Sequence, residues 1–155
     1  MLRRARWGLA WIALATSELA GQGVYAGAGV GPTFAPGEYP DGRNWFGVLG
    51  YQSPEGVGFR LSASDAVHRL WASGDITYRF GTVRHTLRPY VLAGAGSVID
   101  FSESDPHVTA GAGVRLRLTS VLAAFLEVRL HAALGRAGRE PDKILPLTIG
   151  TAVGR

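Results

Sequence analysis

The chain has 155 residues, 22 of them Gly and none Cys, with 16 basic and 12 acidic residues for a formal charge of +4. That length suits a single domain. Zero Cys excludes a disulfide framework and thiol-based catalysis or metal binding, and no concentrated basic stripe of the kind nucleic acid requires is present.

The first residues form a leader. Arg3, Arg4 and Arg6 precede an uncharged apolar run at 7–15, and small residues follow, among them Ala13, Ala15, Ser17 and Ala20. This order is that of a secretory signal, and the run falls short of the roughly 20 apolar residues a spanning helix needs. Residues 1–20 are therefore expected to be a cleaved signal peptide, with an uncleaved anchor as the alternative, and residues 22–155 a barrel domain. Arg3, Arg4, Arg6 and Glu18 leave with the leader, so 13 basic and 11 acidic residues remain.

Beyond the leader, period-two segments alternate with turn residues, the signature of strands. The first covers 23–34. The second, 44–52, ends at Ser53-Pro54-Glu55-Gly56. In the third, 57–64, Val57, Phe59, Leu61 and Ala63 alternate with Gly58, Arg60, Ser62 and Ser64. The fourth, 70–80, sets Ile76, Tyr78 and Phe80 against Asp75, Thr77 and Arg79. The fifth spans 88–99. The sixth, 108–118, sets Val108, Ala110, Ala112, Val114 and Leu116 against Thr109, Gly111, Gly113, Arg115 and Arg117. The seventh, 121–131, sets Leu122, Ala124, Leu126, Val128 and Leu130 against Phe125, Glu127, Arg129 and His131, although its Ala, Leu and Glu content would also suit a helix. The eighth, 145–153, groups Leu147, Ile149 and Val153.

Eight is an even count, as a closed bacterial barrel requires. The expected outer loops lie near 35–43, 65–69, 100–107 and 132–143, and the inner turns, mostly shorter, near 53–56, 81–87 and 119–120. Ala-Gly-Ala-Gly recurs at 26–29, 93–96 and 110–113, putting Ala on one strand face and Gly on the other. Inward Gly would leave room for long side chains in a narrow interior; plain compositional bias is the competing explanation.

Alternation alone does not say which face meets solvent. Gly and charge share a face in the third and sixth strands, which suits a crowded polar interior. The opposite faces are aliphatic, with Trp45, Tyr51, Tyr78, Phe80 and Tyr90 towards strand ends, where aromatic girdles sit in membrane barrels. The expectation is an all-β, eight-stranded antiparallel up-and-down transmembrane β-barrel; a soluble exported barrel holding a small apolar ligand is the alternative.

The segments at 75–81, 87–96, 111–114, 125–129 and 145–150 (DITYRFG, LRPYVLAGAG, GAGV, FLEVR and LPLTIG) carry a resemblance in order and spacing. The chain resembles the small outer-membrane β-barrel families that include the OmpA-type transmembrane domain. The resemblance implies a site in the bacterial outer membrane, contact with its lipid and lipopolysaccharide, and insertion by the barrel-assembly machinery. It departs from the pattern at its end, where Val153 stands in place of the usual aromatic residue and Gly154-Arg155 follow.

The inward charges are expected to be Arg60, Asp75, Arg79, Arg115, Arg117, Glu127 and Arg129. An isolated buried charge is costly, so Asp75 and Glu127 should pair with the arginines, Glu127 with Arg115 or Arg117 across adjacent strands. These read as a plug of ion pairs that fills the lumen; the competing reading is a charged constriction or gate, and the Arg excess hints at lumenal water or anions. A lipid A-modifying enzyme (deacylase or acyltransferase) would need His131 or His107, a serine such as Ser62, Ser64, Ser97 or Ser102, and a carboxylate, but nucleophile activation needs hydrogen-bond reach and no spacing supplies it. The four histidines, His68, His85, His107 and His131, lack metal-ligand spacing. No catalytic residue, metal or cofactor is expected. Outer-loop residues Arg136, Arg139 and Lys143 could meet lipopolysaccharide phosphates. The expectation is a monomeric, non-enzymatic barrel acting in envelope integrity or surface interaction, without nucleic-acid partners.

Overall fold

A computed structural model of the chain describes residues 23–34, 42–66, 69–81, 85–99, 104–134 and 143–154. The leader, His68, Ser102, Arg136 and Arg139 lie outside them. The described residues form β1 (Val24–Phe34), β2 (Gly42–Gln52), β3 (Val57–Ala66), β4 (Arg69–Arg79), β5 (Leu87–Ile99), β6 (Ser104–Arg117), β7 (Leu122–Ala133) and β8 (Lys143–Gly154). Each strand pairs antiparallel with the next, and β1 closes on β8. The fold is an eight-stranded antiparallel barrel, and closure leaves no edge with unpaired backbone groups.

The largest shift from the expected strands is in β6, which starts at Ser104 and runs through Pro106. Proline demotes a strand because it cannot donate, but here its carbonyl accepts from Leu134 N–H at 2.7 Å, so the ladder continues past it. The helix-prone segment is strand β7. Its outward Leu126, Val128 and Leu130 alternate with buried Glu127, Arg129 and His131, and this tertiary demand overrides local propensity.

The faces are inside out relative to a soluble barrel. On β3, Val57, Phe59 and Leu61 are 52%, 53% and 55% exposed, while Arg60, Ser62 and Ser64 of the alternate row are buried. Ile76 and Ile149 are exposed on β4 and β8, flanked by buried Asp75, Thr77 and Thr148. A soluble ligand-holding barrel would need the reverse. The apolar exterior requires lipid around it, since backbone and polar side chains are satisfied only within the wall and lumen. Trp45 and Phe34 face outward near one rim, and Tyr51, Phe59, Tyr78 and Phe80 near the other. Tyr90 corrects the expected girdle: it shares parity with Leu92 and Gly94 and is buried in the lumen.

Glycine makes the room that the lumen uses. Tyr25 is paired with Gly50, Tyr90 with Gly113 and Phe125 with Gly150 across neighbouring strands. A Cβ at any of these three glycines would lie 2.6 Å from the partner ring. Each aromatic ring thus lies flat over a bare stretch of the adjoining strand, the aromatic–glycine device that pins sheet register.

The turns at 53–56 and 118–121 share one end, the short-turn end, although the β3–β4 connection at the opposite end, between Ala66 and Arg69, is shorter still. At 53–56, Ser53 N–H donates to Val57 O, and Gly56 takes φ 99°, a conformation that favours glycine. The exposed Glu55 carboxyl is held below its ordinary pKa by its own backbone N–H and then by the Ser53 hydroxyl. At the other turn, the Thr119 hydroxyl accepts from the N–H groups of Val121 and Leu122. Gly23 and Gly154 join this end, bonded to Gln52 and Val121.

Candidate functional site

The lumen has three layers, built from inward residues two apart on each strand. The middle layer is a plug. Arg60 on β3 lies directly opposite Asp75 on β4, and Nε meets Asp75 Oδ2 at 3.1 Å. The same guanidinium then crosses the barrel to Glu127 on β7, with Nη1 to Oε2 at 2.7 Å and Nη2 to Oε1 at 3.0 Å. Arg129, two residues along β7, donates through Nε and Nη2 to Glu127 Oε1 at 3.0 and 2.7 Å. Its Nη1 reaches Ser62 Oγ at 2.7 Å and Asp75 Oδ2 at 3.4 Å. The Tyr90 hydroxyl completes the set, donating to Glu127 Oε2 at 2.6 Å.

Two guanidiniums and two carboxylates make this plug neutral, and all four side chains are at most 3% exposed. Such a quartet survives burial because each charge has an opposite partner and most donors are used. Phe46 adds an apolar wall, with the Arg129 guanidinium 5.0 Å and the Arg60 guanidinium 5.9 Å from its ring centre. The expected partners of Glu127 are corrected here. Arg115 lies opposite Phe125 rather than Glu127, and its guanidinium sits 4.2 Å from the Tyr25 ring centre. Arg117 lies at the exposed rim. Reasoning from adjacent strands missed that an eight-stranded barrel is narrow enough for one arginine to span it.

The second layer lies towards the long loops and is aromatic. Trp71, His107 and His131 are each at most 2% exposed. Their ring centres stand 5.2 to 5.3 Å apart in pairs. Trp71 Nε1, both nitrogens of His107 and His131 Nδ1 have no hydrogen-bond partner. Between this layer and the plug, Asn44 donates to the Thr148 hydroxyl at 2.9 Å, and Ser62 and Ser73 hydroxyls bond at 2.8 Å. Of the serines considered for catalysis, Ser62 is held in the plug and Ser64 donates to Asn44 Oδ1.

The third layer opens at the short-turn end as a vestibule of about 700 Å³, with Arg79, Arg88, Arg115 and Arg117 in its lining. Its floor, between Arg79, Arg115 and Arg60, has only about 10 Å³ of free space, about enough for a single water. The seven sequence-derived charges therefore divide: Arg60, Asp75, Glu127 and Arg129 form the plug, and Arg79, Arg115 and Arg117 the vestibule. Arg88 belongs with the latter, as its parity with Tyr90 would have told; Tyr90, Ser62 and Ser73 were missed as plug members.

No family model and no curated protein matches the sequence. Solved structures do match the fold. Neisserial surface protein A superposes with a TM-score of 0.68 at 15% identity, over 86% of this chain and 98% of that one. The N-terminal β-barrel domain of Pseudomonas aeruginosa OprF gives 0.59 at 24% identity, over 84% and 98%. The outer membrane enzyme PagL gives 0.54 at 16% identity, over 84% and 99%. The chain has the fold of these small outer-membrane barrels.

Proposed function

We propose that the chain is a monomeric, non-enzymatic barrel of the bacterial outer membrane that acts in envelope integrity or surface interaction. The observation that carries this reading is the Arg60–Glu127 fork across the lumen. It closes the interior with a neutral, buried plug, so the protein acts through its outer wall and its rims. The lipid-facing belt meets membrane lipid, Lys143 with the loop residues Arg136 and Arg139 faces lipopolysaccharide phosphates, and insertion proceeds through the barrel-assembly machinery. Reconstitution in planar bilayers tests closure: no steady channel is expected, and a stable open conductance would overturn the reading.

The fold shared with the outer membrane enzyme PagL favours one second reading, an enzyme, with lipid A modification the activity considered from the sequence. Against it, neither nitrogen of His107 has a partner, and Ser62 and Ser64 are bound within the lumen. Lipid A from cells expressing the protein and its His131→Ala variant should give identical mass spectra. Loss or gain of an acyl group that disappears in the variant would establish the enzyme.

A further inference from the structure

The aromatic layer towards the long loops holds more nitrogen than it uses. His107 on β6 and His131 on β7 are diagonal neighbours, since Ala133 lies opposite His107 and Thr109 opposite His131. Both are on the inward rows of their strands, with Thr109 on β6 and Arg129 on β7. Diagonal positions stand about 7–8 Å apart, within reach of long side chains, and here the two ring centres close to 5.2 Å. Trp71 stands 5.3 Å from each of them. Within this triangle both nitrogens of His107 and Nδ1 of His131 are buried without a hydrogen-bond partner. Buried polar atoms nearly always find a partner, so a cluster of unused imidazole nitrogens at one level of the lumen points to a ligand.

We propose that His107 and His131 form a binding site for a soft monovalent cation, copper(I), with Trp71 packed against it. A neutral imidazole offers one nitrogen as a lone-pair donor, and imidazole suits copper, zinc and nickel. With metal–nitrogen bonds of about 2.0–2.1 Å, two imidazoles on one ion lie within about 6 Å of each other, centre to centre. The spacing of 5.2 Å meets that condition. The number of donors then selects the ion. Among the described residues, no group of three or more His, Asp or Glu comes together to hold a metal. Zinc takes four ligands, and calcium and magnesium six or more, whereas copper(I), with a filled d shell, is stable with two nitrogens. Neutral ligands also bring no negative charge, so a divalent ion would leave more charge uncompensated in a buried place. The charges nearest His107, on Asp75 and Arg129, act on it with opposite signs. An indole attracts a cation within about 6 Å of its ring centre, and Trp71 packs at that range against both histidines. The ion would enter from the long-loop end, where Asp105 is half-buried on the inward row two residues before His107.

The test uses the protein purified from membranes in dodecyl maltoside. Copper(I) is added as its acetonitrile complex under argon, and copper per chain is measured after gel filtration. One ion per chain is expected, falling to background in His107→Gln and in His131→Gln, with folding read from heat-modifiable electrophoretic mobility. If neither variant folds, X-ray absorption of the copper-loaded wild-type protein decides: two imidazole ligands are expected, and a copper shell without imidazole would sink the proposal. Indole emission locates the ion. Copper(I) should quench it in Trp45→Phe, which keeps Trp71, and clearly less in Trp71→Phe. Excess zinc(II) should leave the copper in place. No uptake, undiminished uptake in a folded histidine variant, equal quenching in the two tryptophan variants, or displacement by zinc would each overturn the proposal.

Discussion

Arg60 on β3 and Glu127 on β7 meet through two near-parallel hydrogen bonds, 2.7 and 3.0 Å long, across the width of the barrel. The contact ties opposite walls together, so its loss should be felt globally. In Glu127→Gln, Arg60 and Arg129 lose their shared counter-charge while still buried, and stability should fall by about 3–5 kcal/mol. The double variant Arg60→Met/Glu127→Leu leaves Arg129 with Asp75, 3.4 Å away. It should cost clearly less than the summed single changes, with a coupling of about 0.5–3 kcal/mol. Urea unfolding in micelles measures both. Additive single and double variants would mean that the fork contributes nothing as a pair.

The glycines supply a second test, because the same change should have opposite signs at two positions. A Cβ at Gly113 would stand 2.6 Å from the Tyr90 ring, whereas one at Gly47 would meet nothing within 4 Å. Gly113→Ala should destabilise by about 1–3 kcal/mol through displacement of the ring, and should also disturb the Tyr90 bond to Glu127. Gly47→Ala should be neutral or stabilise by about 0.5–1 kcal/mol, since the strand loses less chain entropy on folding. Equal effects at the two sites would show that lumenal crowding does not select glycine.

These residues also show what was legible beforehand. Strand positions, and which residues share a face, follow from alternation, because one register step moves every side chain to the other face; Val57 to Ser64 and Asp75 to Phe80 each divide into one apolar and one polar row, while the lipid-facing side had to be argued from glycine, charge and aromatic placement. The inward glycines were legible for the same reason. What alternation cannot convey is distance across the lumen. Pairing of Glu127 with Arg60, 67 positions away in the chain, depends on barrel diameter and on which walls face each other. Tyr90 was misplaced because an aromatic residue near a strand end suits a girdle as well as a lumen, and only its parity with Gly94 separates the two. The start of β6 was obscured by Pro106, whose cost depends on whether its missing N–H was needed.

Charge on the outer wall should be penalised according to depth. Leu61, in the middle of β3, is 55% exposed, and Tyr78 lies near the short-turn rim of β4. Leu61→Arg should cost about 2–4 kcal/mol in a bilayer and Tyr78→Arg about 0–1 kcal/mol. Reversible unfolding into urea from phosphatidylcholine vesicles gives both numbers. A tolerated arginine at position 61 would mean that water, not hydrocarbon, surrounds the middle of the wall.

The two tryptophans among the described residues give the most direct check of which side meets lipid. Trp45 is 64% exposed on the outer face of β2, and Trp71 is 2% exposed within the lumen against His107 and His131. Bromine on acyl chains quenches indole fluorescence at near contact. Folded into vesicles of brominated lipid, a protein made without residues 1–20 should lose part of its emission. Trp71→Phe, which keeps only the outward indole, should be quenched strongly, and Trp45→Phe, which keeps only the lumenal one, hardly at all. Each variant is compared with its own unbrominated control, and its folded fraction is read from heat-modifiable electrophoretic mobility, so that a difference in insertion yield cannot imitate this contrast. Strong quenching of Trp71 would place lipid inside the barrel, and an unquenched Trp45 would remove lipid from its outer wall. Either result is incompatible with an apolar belt turned towards the membrane.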